Sequence, residues 1–317
     1  MDTKVLVVED DQEINELLGE YLALEHFQYT QALSGRAALD AVQQSKPDAV
    51  VLDLMLPDID GFQVANSLSL HRETYDVPII ILTCMNQQCD RERGIASGAY
   101  RFMNKPFLPD DLIGAVKGGL QWRQSLKMRP TRGLFAISAS APGAHLPGIN
   151  EMIADLFCRT TISDAVATNI REAFQRFSNW VLDWGKANRR DPRVLIEYEL
   201  LNADGAPAGN SPAFEIEWKL GEAAPGMLME LLFKPHSAGM DPFSGAWLNP
   251  GGPPAGSSPA LIPWYQFLTL VGISTLERTG SSVRLHRTFS GPIGLPTVIL
   301  DTTRLDQPAA VGAGESS

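Results

Sequence analysis

Four short stretches carry ionisable side chains to the ends of apolar runs. Lys4-Val5-Leu6-Val7-Val8 leads into Glu9, Asp10 and Asp11, and Ala49-Val50-Val51-Leu52 leads into Asp53. Val77-Pro78-Ile79-Ile80-Ile81-Leu82 ends in Thr83, and Asn104 precedes Lys105 and Pro106. Apolar runs without alternation read as strands covered on both faces of a parallel sheet. Open α/β sheets place their chemistry beyond the carboxyl ends of such strands. Singly, each polar residue is an ordinary loop side chain. Jointly, carboxylates that attract a cation, a hydroxyl and an ammonium that pairs with an anion converge on one rim.

These segments, Val7–Asp11, Leu52–Phe62, Ile80–Cys84 and Asn104–Phe107, stand in order, each on a strand end. Over residues 1–125 the chain resembles the receiver domain of two-component response regulators. The resemblance implies a doubly wound (βα)5 α/β fold and a phosphoryl acceptor at Asp53. The phosphoryl group would come from phosphohistidine on a sensor histidine kinase or a phosphotransfer protein. It implies Mg²⁺ held directly by Asp10 and Asp53, by Glu9 through water and by the Met55 carbonyl, a hard cation on oxygen ligands. Lys105 would pair with the phosphoryl oxygens as a point charge. Thr83 would donate a hydrogen bond to one of them, and the Phe102 ring would follow the Thr83 hydroxyl as a switch. The family usually has a cis bond between Lys105 and Pro106. The domain would catalyse its own phosphorylation and dephosphorylation, largely by positioning and charge stabilisation. Cys84 replaces the small residue usual after Thr83. Tyr100 and Arg101 stand where transcription-factor relatives carry acidic residues, so a phosphorylation-dependent dimer, if formed, does not use that family's charge pairs.

The elements that hold the rim follow from periodicity. Ile14, Leu17, Leu18, Tyr21 and Leu22 share one face of a helix over Glu13–Glu25, with Asp11 predicted as its N-cap. Further helices are predicted from Ser34 to Gln44, Phe62 to Arg72, Asp90 to Ala96 and Pro109 past Trp122. A semi-ordered tether is expected over residues 126–133.

Residues 134–300 predict a second, α+β output domain, with a disordered tail over 301–317. A strand near Leu134–Ser138 precedes helices at Ile149–Cys158 and Ser163–Ala187. Strands follow at Val194–Leu201, Ala213–Leu220 and Met227–Phe233, and alternation in the first two predicts a sheet with one wet face. A Gly/Pro/Ser-rich loop occupies 235–263, of the kind that forms lids or binding loops. A helix at Trp264–Leu276 and a strand at Ser282–Thr288 complete the order. This order resembles the two-layer ATPase fold of sensor kinases and anti-sigma-factor kinases. Glu172 matches that family's Glu-Ala-x-x-Asn helix motif, but Arg176 stands in the place of the magnesium-binding Asn. Gly221-Glu222-Ala223-Ala224-Pro225-Gly226 replaces the Asp-x-Gly-x-Gly that holds the adenine amine. A guanidinium cannot coordinate Mg²⁺, so the expectation is an ATPase-like fold that does not hydrolyse ATP.

Charge and composition narrow the function further. Residues 1–125 carry 10 Lys and Arg against 19 Asp and Glu, a net −9 of the whole chain's −11. The remaining residues hold only −2, and no basic cluster or helix-turn-helix pattern marks a nucleic-acid face. Met1 leads straight into a strand, no apolar run is long enough to span a bilayer, and the three cysteines make no metal spacing. The expectation is a cytoplasmic response regulator with a non-catalytic, protein-binding output and an unidentified downstream partner. The alternatives are a receiver-controlled ATPase or serine protein kinase and, ranked last, a DNA-binding transcriptional regulator.

Overall fold

The computed structural model describes residues 3–141, 143–202, 214–222, 248, 251–253, 261–279 and 282–289. Its described residues fall into two compact units that divide between Gln124 and Ser125.

The first unit is a doubly wound α/β domain. β1 (Lys4–Val8), α1 (Gln12–Leu24), β2 (Gln28–Ala32), α2 (Gly35–Gln44), β3 (Ala49–Leu52), α3 (Gly61–Ser69), β4 (Ile79–Thr83), α4 (Gln88–Ala96), β5 (Arg101–Asn104) and α5 (Pro109–Ser125) alternate along the chain. The five strands are all parallel, in the order β2-β1-β3-β4-β5. The strand runs lack alternation because both faces are buried. Leu6, Val8, Val50, Leu52, Ile79 and Ile81 pack with Leu39 and Val42 of α2 and Phe62, Val64 and Leu68 of α3. Val5, Val7, Ala49, Val51, Ile80 and Leu82 pack with Leu18 and Leu22 of α1 and Leu112 and Val116 of α5. The chain order reverses between β1 and β3, which opens a crevice at their carboxyl ends, and Glu9 and Asp53 leave the sheet there. Asp11 caps α1, its Oδ1 accepting from Glu13 N and Ile14 N at 2.9 and 3.1 Å.

The expected tether is mostly regular structure. α5 continues to Ser125, a single 3-10 turn covers Leu126–Met128, and β6 begins at Arg132. Leu126 is buried. A short basic segment with one proline reads as a linker, but Leu126 supplies an apolar anchor and the Thr131 carbonyl accepts from Leu200 N at 2.8 Å.

The second unit contains β6 (Arg132–Ser138), α6 (Leu146–Arg159), α7 (Asp164–Asn188), β7 (Arg193–Asn202), β8 (Phe214–Glu222), α8 (Ile262–Val271), β9 (Thr275–Thr279) and β10 (Ser282–Phe289). Its sheet is antiparallel, ordered β6-β7-β8-β10-β9. Phe135 of β6, Phe174 and Phe177 of α7, and Trp264 and Phe267 of α8 form one aromatic core, with Phe177 and Phe267 centroids 4.8 Å apart. On β7, Val194, Ile196, Tyr198 and Leu200 are buried, whereas Glu197 is exposed.

Three differences from the sequence expectation have physical causes. The helix predicted to reach Leu276 stops at Val271, because Gly272 adopts φ 69° and caps it through Leu268 and Thr269 carbonyls. The next residues form β9, which periodicity alone missed. β8 runs past the expected strand end at Leu220 through Gly221 and Glu222, which pair with Leu195 and Val194. The expected Met227–Phe233 strand, the tail and most of the 235–263 loop lie outside the described residues.

Candidate functional site

Glu9, Asp10 and Asp53 each offer a carboxylate oxygen within 4.8 Å of the others, and this is a candidate cation-binding group among the described residues. Glu9 and Asp53 are buried while Asp10 is exposed. The strand ends explain this. β1 and β3 are neighbours in parallel register, Val8 beside Leu52, so the residues that follow them emerge side by side. Asp53 N donates to the Val8 carbonyl at 2.9 Å. Buried Asn15 then ties the neighbouring ends together, its Nδ2 donating to the Glu9 carbonyl at 2.9 Å and the Ala32 carbonyl at 3.1 Å.

Lys105 comes from the far edge of the sheet. β5 pairs with β4, Asn104 beside Thr83, and Lys105 N donates to the Thr83 carbonyl. The Lys105–Pro106 peptide bond is cis. Lys105 Nζ lies 2.6 Å from Asp53 Oδ2 and 2.6 Å from Glu9 Oε2. Burial alone would lower the Lys105 pKa, but its hydrogen bonds to Asp53 and Glu9 outweigh that and raise it. Burial pushes the Glu9 carboxyl up to about 7, helped by repulsion from Asp53 and Asp10 and opposed by Lys105. Bringing acids together at this cost is the pattern of a site built for positive charge.

The loop after Asp53 wraps its carboxylate. Leu54 N and Met55 N donate to Asp53 Oδ1 at 2.5 and 3.2 Å. Gly61 lets α3 close on this loop, since a Cβ there would lie 2.5 Å from the Asp53 carbonyl oxygen. Thr83 is fully buried, with its Oγ1 accepting from Met85 N at 3.4 Å. Phe102 is buried, its ring against α4 at Gly94, where a Cβ would lie 2.6 Å from the ring. Glu9, Asp10, Asp53, Thr83 and Lys105 are therefore gathered at one end of the sheet, with Met55 in the loop beside them. Their all-oxygen carboxylate set fits a hard divalent cation such as Mg²⁺.

Sequence reasoning missed Asn15, and it missed Asp58. Asp58 Oδ1 accepts from Gly35 N at 2.8 Å and its Oδ2 from Arg36 N at 3.0 Å, the first amides of α2. Asp58 follows Gly35 by 23 residues, so no local capping pattern in the sequence signals this contact.

The second unit places its sequence candidates differently. Glu172 and Arg176 pair with each other one turn apart on an exposed side of α7. The helix buries Ile170, Arg171, Phe174, Phe177 and Val181 instead. Burial lowers the Arg171 pKa to about 9. A polar pair in this core was also missed: Tyr198 Oη donates to Asp155 Oδ2 at 2.6 Å, and burial pushes the Asp155 carboxyl up to about 6. Gly133 admits the Tyr198 ring, which a Cβ would meet at 2.4 Å. An open cavity of about 440 Å³ is lined by Arg132, Glu197, Glu199 and Glu217, among others. No helix of the described residues is long and apolar enough to cross a membrane.

Comparison with known proteins centres on the first unit. The family model for the response regulator receiver domain matches residues 5–117. The transcriptional regulatory protein SrrA of Staphylococcus aureus is 38% identical over 125 residues, 39% of this chain and 51% of that protein. The chain thus spans about half the length of the curated relatives it matches. Among solved structures, the receiver domain of the Francisella response regulator 1452 is 28% identical, with 38% of this chain and 98% of that one covered and a TM-score of 0.36. The N-terminal receiver domain of Klebsiella pneumoniae RstA is also 28% identical, with 38% and 99% covered and a TM-score of 0.35.

Proposed function

Residues 5–117 are a response regulator receiver domain of a two-component system, and on that premise we propose that Asp53 is its phosphoryl acceptor and that the second unit is a protein-binding output. The observation that carries the first part is the Lys105 ammonium, shared at 2.6 Å between Asp53 Oδ2 and Glu9 Oε2.

The donor is phosphohistidine on a histidine kinase or phosphotransfer protein. An Asp53 carboxylate oxygen attacks phosphorus, the P–N bond breaks, the imidazole leaves and an aspartyl phosphate forms. Mg²⁺, held by Asp10, Asp53, Met55 through its carbonyl and Glu9 through water, would neutralise charge on the transferring group. Lys105 gives up its contact with Asp53 and pairs with phosphoryl oxygens. The Thr83 hydroxyl, now engaged with Met85 N, turns to donate to the phosphoryl group. Phe102 follows into the space that Thr83 leaves, which loosens its packing on Gly94 of α4. Hydrolysis of the aspartyl phosphate by water resets the domain.

A protein-binding output is supported by charge and by the helix candidates. The wet side of the sheet carries Glu197, Glu199 and Glu217 around its cavity beside Arg132, with Arg284 and His286 paired to Glu217, a mixed surface rather than the basic one that a phosphate backbone calls for. Arg176 is committed to Glu172 on the surface, which disfavours a working ATPase. SrrA is named as a transcriptional regulator, but its match covers 39% of this chain and leaves the output type to experiment. Treating wild type and Asp53→Asn with an acyl phosphate and Mg²⁺ tests the acceptor. Pull-down by the full chain, with and without a phosphoryl mimic, against a DNA-binding screen tests the output. Phosphorylation-dependent capture of DNA and not of protein would overturn the output reading.

A further inference from the structure

The loop from Leu54 to Asp60 carries Met55 and wraps the Asp53 carboxylate through two amides. Its base is closed by Gly61 N donating to the Leu54 carbonyl at 3.1 Å. Its tip is held from elsewhere in the chain. Asp58 turns its carboxylate onto the first turn of α2, where Gly35 N and Arg36 N donate to its two oxygens. Ile59 N also donates to Oδ1, at 2.8 Å, so one carboxylate organises both the loop and the helix start. Burial would raise the Asp58 pKa, but these amides and the Ser34 side chain outweigh it and hold the carboxyl below its ordinary value. Close approach is part of the latch. A Cβ on Gly35 would lie 2.9 Å from Ile59 Cβ and 3.0 Å from Val64 Cγ2.

We propose that Asp58 is a positioning residue of the phosphorylation site: by latching the loop tip to the N-terminus of α2, it fixes the Met55 carbonyl and the Leu54 and Met55 amides around Asp53. This rests on the acceptor reading above. Asp58 itself touches neither the cation nor the phosphoryl group. It acts as outer-shell partners of metal sites do, by removing the freedom of a ligand-bearing segment.

The test uses the full chain with Asp58→Ala, Asp58→Asn and Gly35→Ala. Mg²⁺ affinity is read by calorimetric titration, and loop order by amide hydrogen exchange at Leu54–Ile59 without metal. Asp58→Ala is expected to weaken Mg²⁺ binding by about tenfold and to speed exchange in the loop. Gly35→Ala, which leaves the carboxylate in place but forces the loop away, should move both readouts in the same direction. Asp58→Asn keeps one acceptor oxygen without the charge and should fall between wild type and Asp58→Ala. Unchanged Mg²⁺ affinity in Asp58→Ala and Gly35→Ala, with wild type binding normally, would overturn this inference and leave the acceptor reading standing. Equal losses in Asp58→Asn and Asp58→Ala with no effect of Gly35→Ala would also overturn it, by assigning the effect to net charge. A wild-type chain that binds no Mg²⁺ and takes no phosphate would overturn the acceptor reading and this inference together.

Discussion

The Lys105 ammonium bridges Glu9 and Asp53, 2.6 Å from a carboxylate oxygen of each, although the three residues leave the ends of β5, β1 and β3. Lys105 is only 12% exposed, and its partners are nearly fully buried. In the absence of metal, it is the cation that lets the two acids face each other.

Lys105→Ala is therefore expected to destabilise the metal-free protein by about 3 kcal/mol, because removing one partner strands buried charge. Glu9, already pushed up to about 7, should hold its proton to still higher pH in this variant. Urea unfolding in EDTA reads the loss. Added Mg²⁺, which supplies positive charge to the same acids, should recover part of it, whereas an unaltered unfolding midpoint in EDTA would contradict the bridging role.

Gly94→Ala tests the packing of the Phe102 ring, the proposed switch. A Cβ at this position meets the Phe102 ring at 2.6 Å, so the ring must leave its buried place or α4 must shift. Aromatic NMR signals of Phe102 should move in the unphosphorylated variant, with a stability cost of about 1–3 kcal/mol typical of overpacking. Unmoved Phe102 signals would argue against the contact.

Asp155→Asn should flatten a pH dependence. Burial raises the Asp155 carboxyl from its ordinary 3.8 to about 6, so the folded state holds the proton more tightly than the unfolded state. The associated stability is fully present below pH 3.8 and is lost as pH rises through about 6. The loss amounts to about 3 kcal/mol at 1.36 kcal/mol per pKa unit. Asn retains an acceptor for the Tyr198 hydroxyl and carries no titration. The stability of Asp155→Asn relative to wild type should thus improve across that window, as measured by denaturation at a series of pH values. A constant difference would contradict the raised carboxyl.

Arg176→Ala should cost no more than about 0.5 kcal/mol, the range for exposed ion pairs one helical turn apart. It should also leave ATP and Mg²⁺ titrations of the full chain as they are in wild type. A large change in nucleotide affinity would place Arg176 in a ligand site and favour the ATPase alternative.

The rim of the first unit was legible because apolar runs without alternation reveal buried strands, and the residues just after them must then share one edge. What was not legible depends on approach in space. Asp58 reads as a plain turn residue until the start of α2 is seen against it, and Asn15 reads as a polar position on a helix until its amide is seen bridging two strand ends. In the second unit, Tyr198 shares parity with Val194, Ile196 and Leu200, so its inward direction could be read from alternation. Its partner Asp155, far away on α6, could not. The helix end at Gly272 was hidden because Ile273 and Leu276 continue an apolar spacing that a positive φ interrupts. Glu172 and Arg176 show the converse, a motif match in sequence that the fold spends on a surface pair.

The most direct measurement is intact-mass analysis of the chain after treatment with a small acyl phosphate and Mg²⁺, for wild type and Asp53→Asn in parallel. The account predicts one phosphate on wild type that alkali or hydroxylamine removes, as expected of an acyl phosphate, none on Asp53→Asn and none on wild type in EDTA. Equal labelling of wild type and Asp53→Asn, or no labelling of wild type under any condition, would contradict it.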